Sequence, residues 1–265
     1  MRQIIDMHQH LHWNNTVEEL AAAARGVGIV KMLLAGFPPN REKENNDRVL
    51  AACKQHPDLF VPYFGFDLDG MGPKDVDKLR DAGFAGIKFI GPKKAYNHES
   101  YFPVYARAAE LGVPVLFHLG IVANTGPFTD CDSNLMRPIY LDHIARTHPK
   151  LTLVGAHLGN PWYDEAVMSC RWNPNLFFDL SGSTLKKKTP EYIGSLLWWT
   201  PYTAYRSPDR TYAWEKIVFG SDVHWSELKD VVHDYEVIMD TLNLTSEIRE
   251  RVWYGTAARI LGLDK

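Results

Sequence analysis

Four separate stretches of the chain end in residues that can bind a metal ion or move a proton. They contribute His8 with His10, then His118, His157 and Asp222, each placed after a short apolar run. Residues two apart in a β-strand face the same side, so His8 and His10 can share one metal ion. The other three come at the matching point of later runs, near a glycine. Together the five side chains predict a metal site with an acid or base beside it.

The elements that must position these side chains alternate between two patterns. Short apolar, β-branched runs are each followed by a longer segment with helical periodicity. The runs are residues 3–8, 29–36, 59–67, 85–91, 114–120, 151–159, 176–182 and 217–222. This alternation indicates βαβ units and a parallel sheet, and the continuous apolarity of the runs indicates strands buried on both faces. Eight such units predict an α/β fold, a (β/α)8 TIM barrel, with residues 1–265 as a single domain.

The barrel explains how residues distant in sequence would meet, because its active site lies at the C-terminal ends of the strands. A doubly wound open sheet is the alternative, although eight strands suit a closed barrel better. Asp6, two residues before His8, is predicted as a buried partner that orients the ligands. The long connection over residues 183–216 is rich in aromatic residues and is predicted to cover one rim or form an interface.

Composition excludes several other classes of protein. The chain is 45% hydrophobic and 12% aromatic, which is enough to bury a large core and excludes disorder. A formal net charge of −3 gives no basic surplus for nucleic acid, and three widely spaced cysteines form no disulfide framework. The sequence contains no run of about 18 apolar residues, so no membrane-spanning helix is predicted. The start has no apolar segment of a secretory signal, so we expect a cytoplasmic protein.

The order of these motifs resembles the amidohydrolase superfamily. The resemblance rests on the Asp-x-His-x-His opening at residues 6–10, the single His118 and His157, and Gly220-Ser221-Asp222. More narrowly, the chain is similar to the amidohydrolase-2 branch, the relatives of aminocarboxymuconate-semialdehyde decarboxylase. The segments that carry this narrower resemblance are residues 85–88, 114–118, 177–182 and 253–262.

This resemblance implies a site for one divalent metal ion, which would be zinc. Its ligands would be His8, His10, His118 and Asp222, and His157 would be a catalytic side chain beside the metal. Such a set leaves an open position for water, whose pKa zinc lowers from 15.7 toward about 7. Asp222 would also be catalytic, since its second oxygen can take a proton from that water. His157 can bond a substrate oxygen or orient the nucleophile.

Two reactions known in the branch fit this site. The first is hydrolysis of a small carboxylated lactone, ester or amide by metal-activated water. The alternative is nonoxidative decarboxylation of a small aromatic or unsaturated carboxylic acid, in which Asp222 or His157 passes a proton to carbon. The known decarboxylases tend to be longer than this chain of 265 residues, so hydrolysis is favoured.

Two further residues are predicted to contact substrate. Lys88 ends the fourth predicted strand and is expected to bind an anionic group as an ammonium. Its alternative role is a carbamylated lysine that bridges two metal ions, as in other superfamily branches. His224 follows the eighth predicted strand. Its alternative roles are an extra metal ligand or a rim histidine that contacts neither metal nor substrate. Arg171, Arg206 and Arg210 could add positive charge at the same rim.

Two other interpretations compete with an amidohydrolase. TatD-like nucleases are similar metal-dependent barrels, but they carry Gly-Glu-Ile-Gly and Glu-Thr-Asp where this chain has Ile87-Lys88-Phe89 and Gly220-Ser221-Asp222. A non-catalytic barrel would tolerate a degenerate metal site, whereas here every candidate ligand is present. We therefore expect an enzyme that acts on a small molecule and, from the aromatic connection, forms a homo-oligomer.

Overall fold

A computed structural model describes residues 2–11, 16–124, 126–199 and 212–263. Seven strands form one parallel sheet, and their order in the sheet follows their order in the chain. They are β1 Ile4–His10, β2 Ile29–Ala35, β3 Phe60–Gly65, β4 Gly86–Phe89, β5 Val115–Phe117, β6 Leu153–Gly155 and β7 Leu176–Phe178. The first seven predicted runs are thus strands, most of them shorter than predicted.

Helices follow the strands along the chain. They are α1 Val17–Gly26, α2 Asn45–Gln55, α3 Pro73–Asp81, α4 Phe102–Leu111, α5 Ile139–Thr147, α6 Tyr163–Trp172, α7 Ser183–Lys187, α8 Pro190–Leu196, α9 Leu228–Thr241, α10 Ser246–Glu250 and α11 Thr256–Leu261. A π-helical turn, Arg251–Gly255, joins the last two. Among the helices described, none has both the length and the apolar character that crossing a membrane requires.

Local sequence signals set the ends of these helices. Thr16 caps α1, because its Oγ1 accepts a hydrogen bond from Glu19 N at 3.2 Å and donates one to the Glu19 carboxylate at 2.6 Å. Helix α4 ends at Gly112, whose φ of 64° lies in the left-handed region that favours glycine. Thr16 thus starts α1 after β1, and Gly112 ends α4 before β5, at the positions that the sequence pattern indicates.

The hydrophobic core has two layers. The inner cluster joins residues from most of the strands, namely Ile5, Met7, Leu33, Ala35, Tyr63, Leu116, Val154, Ala156, Phe177 and Val218. Strand residues that alternate with these, such as Met32, Leu34, Phe117 and Phe178, belong to the larger cluster, which also contains helix residues such as Leu20. Both faces of the sheet are therefore buried, as parallel strands covered by helices require.

The eighth predicted strand, residues 217–222, is not a regular strand in the structure. It forms one isolated parallel bridge with Phe178. Val218 N donates to Phe178 O at 2.9 Å, and Met7 N donates to Phe219 O at 2.9 Å. The segment thus closes the sheet between β7 and β1. No second bridge forms because Phe219 N donates to the π-helical turn instead of a strand.

The long connection over residues 183–216 contains α7, α8 and a short 3-10 helix, Tyr212–Lys216. Arg206 and Arg210 lie outside the described residues. Arg171 does not lie at the predicted rim. It is in the last turn of α6, which leads to the N-terminal end of β7, and its guanidinium stacks on the ring of Trp172 at 4.8 Å.

Candidate metal and catalytic centre

The predicted side chains of β1 converge on Asp222, which follows the closing segment. Asp222 Oδ1 lies 3.8 Å from His8 Nε2 and 3.9 Å from His10 Nε2. Its Oδ2 lies 3.6 Å from His157 Nε2. The ligand atoms of His8, His10 and Asp222 all lie within 4.8 Å of one another. The structure therefore brings three of the predicted histidines together around the carboxylate of Asp222.

The fifth side chain, His118, follows β5 and stands against His157, with ring centroids 5.0 Å apart. Its Nε2 is buried and has no hydrogen-bond partner in the described part of the chain. Burial, and then the nearby charges of His157 and Lys88, lower the pKa of His118 well below its ordinary value. His118 is thus neutral with a buried free nitrogen, which is the form that a metal ligand needs.

Two of these residues have a left-handed backbone conformation, with φ of 62° at His157 and 47° at Asp222. Residues with a side chain adopt this region rarely, at an energetic penalty that the surrounding structure must offset. His157 lies in a 3-10 turn, Ala156–Gly159, and not in the strand predicted for residues 151–159. This turn directs the imidazole toward Asp222.

Glycine allows two segments to approach the centre closely. A Cβ on Gly220 would lie 2.8 Å from Asp179 Cβ and 3.0 Å from His8 Cβ. A Cβ on Gly182, where φ is 70°, would lie 3.1 Å from His157 Nδ1. A Cβ at 2.8 Å would force its neighbours to shift, so close packing of the centre explains the glycine at position 220.

Asp179 is a buried carboxylate that the sequence analysis did not select. It follows β7 and lies between two of the histidines. Its Oδ2 is 2.9 Å from His8 Nδ1. Its Oδ1 accepts hydrogen bonds from His157 N at 3.0 Å, from Ser181 N at 2.9 Å and from Ser181 Oγ at 2.5 Å. Both oxygens are therefore engaged in hydrogen bonds within the centre.

The surroundings of Asp179 favour its ionised form. Burial alone would raise the pKa of this carboxyl, but His8, His157 and the Ser181 hydroxyl hold it well below its usual range through charge and hydrogen bonds. Burial lowers the pKa of His157 below its ordinary value, and Asp222 opposes that effect. An anionic carboxylate thus stands beside a histidine that is mainly neutral.

Asp6 supports the opposite side of His8, as the sequence predicted for a buried partner. Its Oδ1 accepts from His8 N at 3.1 Å and from Ser221 N at 3.0 Å, and its Oδ2 accepts from Ser221 Oγ at 2.5 Å. Gln9 Nε2 also donates to Ser221 Oγ at 3.0 Å. Burial raises the pKa of Asp6 to about 7, against these hydrogen bonds. Asp6 therefore fixes the backbone of β1 next to the centre.

Lys88 on β4 points into the same centre. The residue is fully buried, and its Nζ lies 3.0 Å from His8 Nε2. Burial lowers the pKa of Lys88 to about 8, while Asp222 and Asp179 favour the charged form. This position is compatible with an ammonium that binds an anionic substrate group, and it leaves the carbamylated alternative open.

His10 and His224 differ in what surrounds them. His10 Nδ1 lies 2.7 Å from Ala35 O, and its ring stacks on Phe37 with centroids 4.6 Å apart. His224 Nδ1 instead lies 2.9 Å from Ser226 Oγ in its own turn, and the ring packs on Trp225. In the described residues no hydrogen bond, ion pair or ring contact joins His224 to the centre, so its substrate contact stays a prediction.

The donor set fits a divalent metal ion. Two ligand atoms that are each about 2.0–2.1 Å from one zinc ion stand about 3.3 Å apart at a tetrahedral angle. Asp222 Oδ1 lies 3.8 and 3.9 Å from the Nε2 atoms of His8 and His10, which is wide enough to admit one ion. The unpartnered Nε2 of His118 supplies a further donor near the centre. Lys88 competes with an ion here, because its Nζ contacts His8 Nε2.

The residues that the sequence analysis missed, Asp179 and Ser181, had a visible signal. Asp179 follows the buried run Leu176–Phe178 and stands at the C-terminal end of a strand, as His118 and His157 do. The segment 177–182 was used only as part of a family resemblance. A rule that asks about every polar residue after a buried parallel strand would have selected Asp179.

Comparisons with known proteins agree with this architecture. A family model described as Amidohydrolase (Amidohydro_2) matches residues 5–263. An uncharacterized TIM-barrel protein from Bordetella bronchiseptica is 19% identical with a TM-score of 0.73 over 98% of each chain. 2,6-Dihydroxybenzoate decarboxylase from Rhizobium is 14% identical with a TM-score of 0.67 over 100% of each chain. No curated protein matches the chain.

A protein from Acinetobacter baumannii assigned as a 2-pyrone-4,6-dicarboxylic acid hydrolase is 15% identical, with a TM-score of 0.65 over 98% of this chain and 99% of that chain. At these identities the solved structures show the fold, and they confirm the predicted TIM barrel. The family model covers nearly the whole chain and confirms the predicted family. With a barrel whose strand ends bear a His/Asp cluster able to hold a divalent metal ion, this chain is an enzyme that belongs to the amidohydrolase family.

Proposed function

We propose that this enzyme is a zinc-dependent hydrolase of a small carboxylated lactone, ester or amide. The zinc ligands would be His8, His10, His118 and Asp222, as the family resemblance implies. The observation that carries the proposal is the convergence of histidine Nε2 atoms on the two oxygens of Asp222, at 3.6 to 3.9 Å. Bound zinc would polarise a carbonyl group and make water acidic enough to react at neutral pH.

Three side chains of the protein would act around the reacting atoms. Asp222 Oδ2, which lies 3.6 Å from His157 Nε2, is placed to take a proton from the attacking water. His157, with its pKa lowered by burial, is neutral and can hold a substrate oxygen or pass the proton on. Lys88 supplies a buried cation for the carboxylate of the substrate.

Nonoxidative decarboxylation is the second candidate, because two observations favour it. Lys88 Nζ lies 3.0 Å from His8 Nε2, which supports binding of a substrate carboxylate beside the proposed metal ligands. The similar structures include a decarboxylase of 2,6-dihydroxybenzoate as well as a protein assigned as a dicarboxylic acid hydrolase. In that reaction Asp222 or His157 would deliver a proton to the carbon that loses carbon dioxide.

The metal assignment is tested with the wild type and two single variants. Protein purified without chelators should contain about one zinc ion per chain, measured by mass spectrometry. His118→Ala should lose the metal and the activity, whereas His148→Ala should keep both. His148 is a matched control because its Nε2 is also buried without a partner in the described residues, although it ends α5. If His118→Ala keeps its zinc and activity, His118 is not a ligand.

Lys88→Met separates the two roles of Lys88. An ammonium that binds substrate predicts normal zinc content and a KM for carboxylated substrates raised about 10- to 100-fold, as for loss of a charged hydrogen bond. Loss of zinc would identify Lys88 as a metal ligand instead. A panel of lactones, esters, amides and carboxylated aromatics, with carbon dioxide followed separately, decides between hydrolysis and decarboxylation.

A cytoplasmic location and a homo-oligomer remain proposals of the same kind. The second rests on the aromatic residues of segment 183–216. Fractionation of the producing cells and light scattering of the purified protein test them directly.

A further inference from the structure

Asp179 connects a predicted metal ligand to a predicted catalytic residue. The rings of His8 and His157 have centroids 5.1 Å apart. The carboxylate of Asp179 reaches His8 with one oxygen and the turn of His157 with the other. Asp179 is fully buried, so bulk solvent does not reach these oxygens. What each oxygen accepts then determines where the imidazole protons lie.

The first oxygen fixes the tautomer of His8. Asp179 Oδ2 is 2.9 Å from His8 Nδ1. Two main-chain N–H groups donate to the other oxygen of this carboxylate, which favours its ionised form, and an ionised carboxylate can only accept. His8 Nδ1 must therefore carry the proton, which leaves a lone pair on His8 Nε2. Lys88 gives independent support, because its ammonium only donates and lies 3.0 Å from the same Nε2. Both neighbours require the same tautomer.

The second oxygen fixes His157 through Ser181. The Ser181 hydroxyl donates to Asp179 Oδ1 at 2.5 Å, so its oxygen is left as an acceptor. That oxygen lies 2.8 Å from His157 Nδ1, which must then carry a proton. His157 Nε2 is left with a lone pair, 3.6 Å from Asp222 Oδ2. The same Oδ1 also accepts from His157 N and so holds the left-handed turn.

We propose that Asp179 is a positioning residue that directs the Nε2 lone pairs of both His8 and His157 into the centre, acting on His157 through Ser181. The proposal rests on the proposed function, in which His8 binds zinc through Nε2 and His157 acts through Nε2. Ligand histidines commonly donate their other ring N–H to a carboxylate, and loss of such a partner weakens metal binding about 10- to 100-fold. Here one carboxylate would serve a ligand and a catalytic histidine together.

Asp179→Asn tests the proposal because the new amide has one acceptor and one donor end. Three N–H and O–H groups face Oδ1, so the amide oxygen should occupy that place and the amide nitrogen should face His8. An amide N–H that faces Nδ1 and the Lys88 ammonium that faces Nε2 cannot both be satisfied by one neutral tautomer, so His8 should lose its fixed tautomer and populate the form with a proton on Nε2. Long-range nitrogen-15 NMR of the chelator-treated full chain at pH 8 reports this change. Its zinc dissociation constant should rise about 10- to 100-fold.

Two controls keep the result interpretable. Asp6→Asn replaces a carboxylate whose hydrogen bonds, within the described residues, come from His8 N and Ser221 and from no imidazole, so His8 should keep the wild-type NMR pattern. Ser181→Ala should leave the His8 pattern unchanged and release His157 from a single tautomer. If Asp179→Asn fails to fold, Ser181→Ala still tests whether Ser181 fixes the tautomer of His157. A wild-type His8 protonated on Nε2, or an Asp179→Asn protein with the wild-type pattern and zinc affinity, would overturn the proposal.

Failure of the proposed function gives a different result. If the wild-type chain binds no zinc but both histidines show the expected tautomers, then the metal assignment is wrong and the role of Asp179 stands. If zinc binds normally and the tautomers of wild-type His8 or His157 differ from those stated, then the role of Asp179 is wrong. The NMR measurement needs neither substrate nor metal, so the two outcomes are independent.

Discussion

The two buried carboxylates beside His8 have nearly the same surroundings and opposite behaviour. Asp6 accepts a serine O–H, a serine N–H and a histidine N–H, at 2.5, 3.0 and 3.1 Å. Asp179 accepts the same three kinds of donor at 2.5, 2.9 and 3.0 Å. Burial raises the pKa of Asp6 to about 7, whereas the pKa of Asp179 is held well below its usual range.

The difference comes from imidazoles. Asp179 has His8 Nδ1 at 2.9 Å and the His157 imidazole nearby, whereas Asp6 bonds His8 through its main-chain N–H. Neutral donors offset part of the burial effect, but they do not reverse it at Asp6. Of these two buried carboxylates, the one that faces an imidazole side chain is the one whose pKa is lowered. This comparison predicts that catalysis depends on Asp179 and on the residues that it bonds.

The largest effect should come from a substitution of His157, which Asp179 positions directly and through Ser181. His157→Gln should lower kcat about 10²- to 10⁴-fold, the range for loss of a general acid or base, and leave zinc content unchanged. Steady-state kinetics and metal analysis of the same preparation check this. Loss of zinc together with activity would make His157 a ligand, and unchanged kcat would remove it from the mechanism.

The next effect is a difference in the pH dependence of stability. The folded-state pKa of Asp6 is raised from 3.8 to about 7, so its contribution to stability falls as pH rises between those values. Asp6→Asn cannot ionise, and its stability relative to the wild type should therefore improve from pH 4 to pH 8. Asp179 has a lowered pKa, so its contribution is present above the unfolded value of about 3.9 and is lost as pH falls.

The stability deficit of Asp179→Asn should accordingly shrink below about pH 4, the opposite trend to that of Asp6→Asn. Urea unfolding of both variants and the wild type across this pH range measures the two trends. Matching trends would mean that the two carboxylates do not differ in charge in the folded protein.

The smallest effect separates the two serines. Ser181 donates to an ionised carboxylate, and Ser221 donates to a carboxyl whose pKa is about 7. At pH 5.5, Ser181→Ala should lower the free energy of unfolding by about 1.5–3 kcal/mol, the range for hydrogen bonds to charged groups. Ser221→Ala should lower it by about 0.5–1.5 kcal/mol. If urea unfolding gives equal losses of unfolding free energy for the two variants, then Asp6 and Asp179 do not differ in charge at this pH.

The fold was largely predictable because its elements depend on local patterns. Apolar runs bounded by glycine and followed by amphipathic segments gave seven correct strands, and the spacing of His8 and His10 indicated a shared site. The prediction of a regular eighth strand was wrong. An N–H of that segment bonds to the π-helical turn, and the periodicity of one segment carries no information about such a partner.

The sequence by itself determined which strands exist and which residue types stand at their ends, because burial and alternation act on neighbouring residues. Only the tertiary structure decided which imidazole Asp179 meets, since His8 lies 171 positions away and reaches it when the barrel closes. The ionised state of Asp179, the raised pKa of Asp6 and the contact of Lys88 with His8 all follow from that closure. Hydrogen bonds and desolvation act over a few ångströms in space, so no pattern along the chain specifies them.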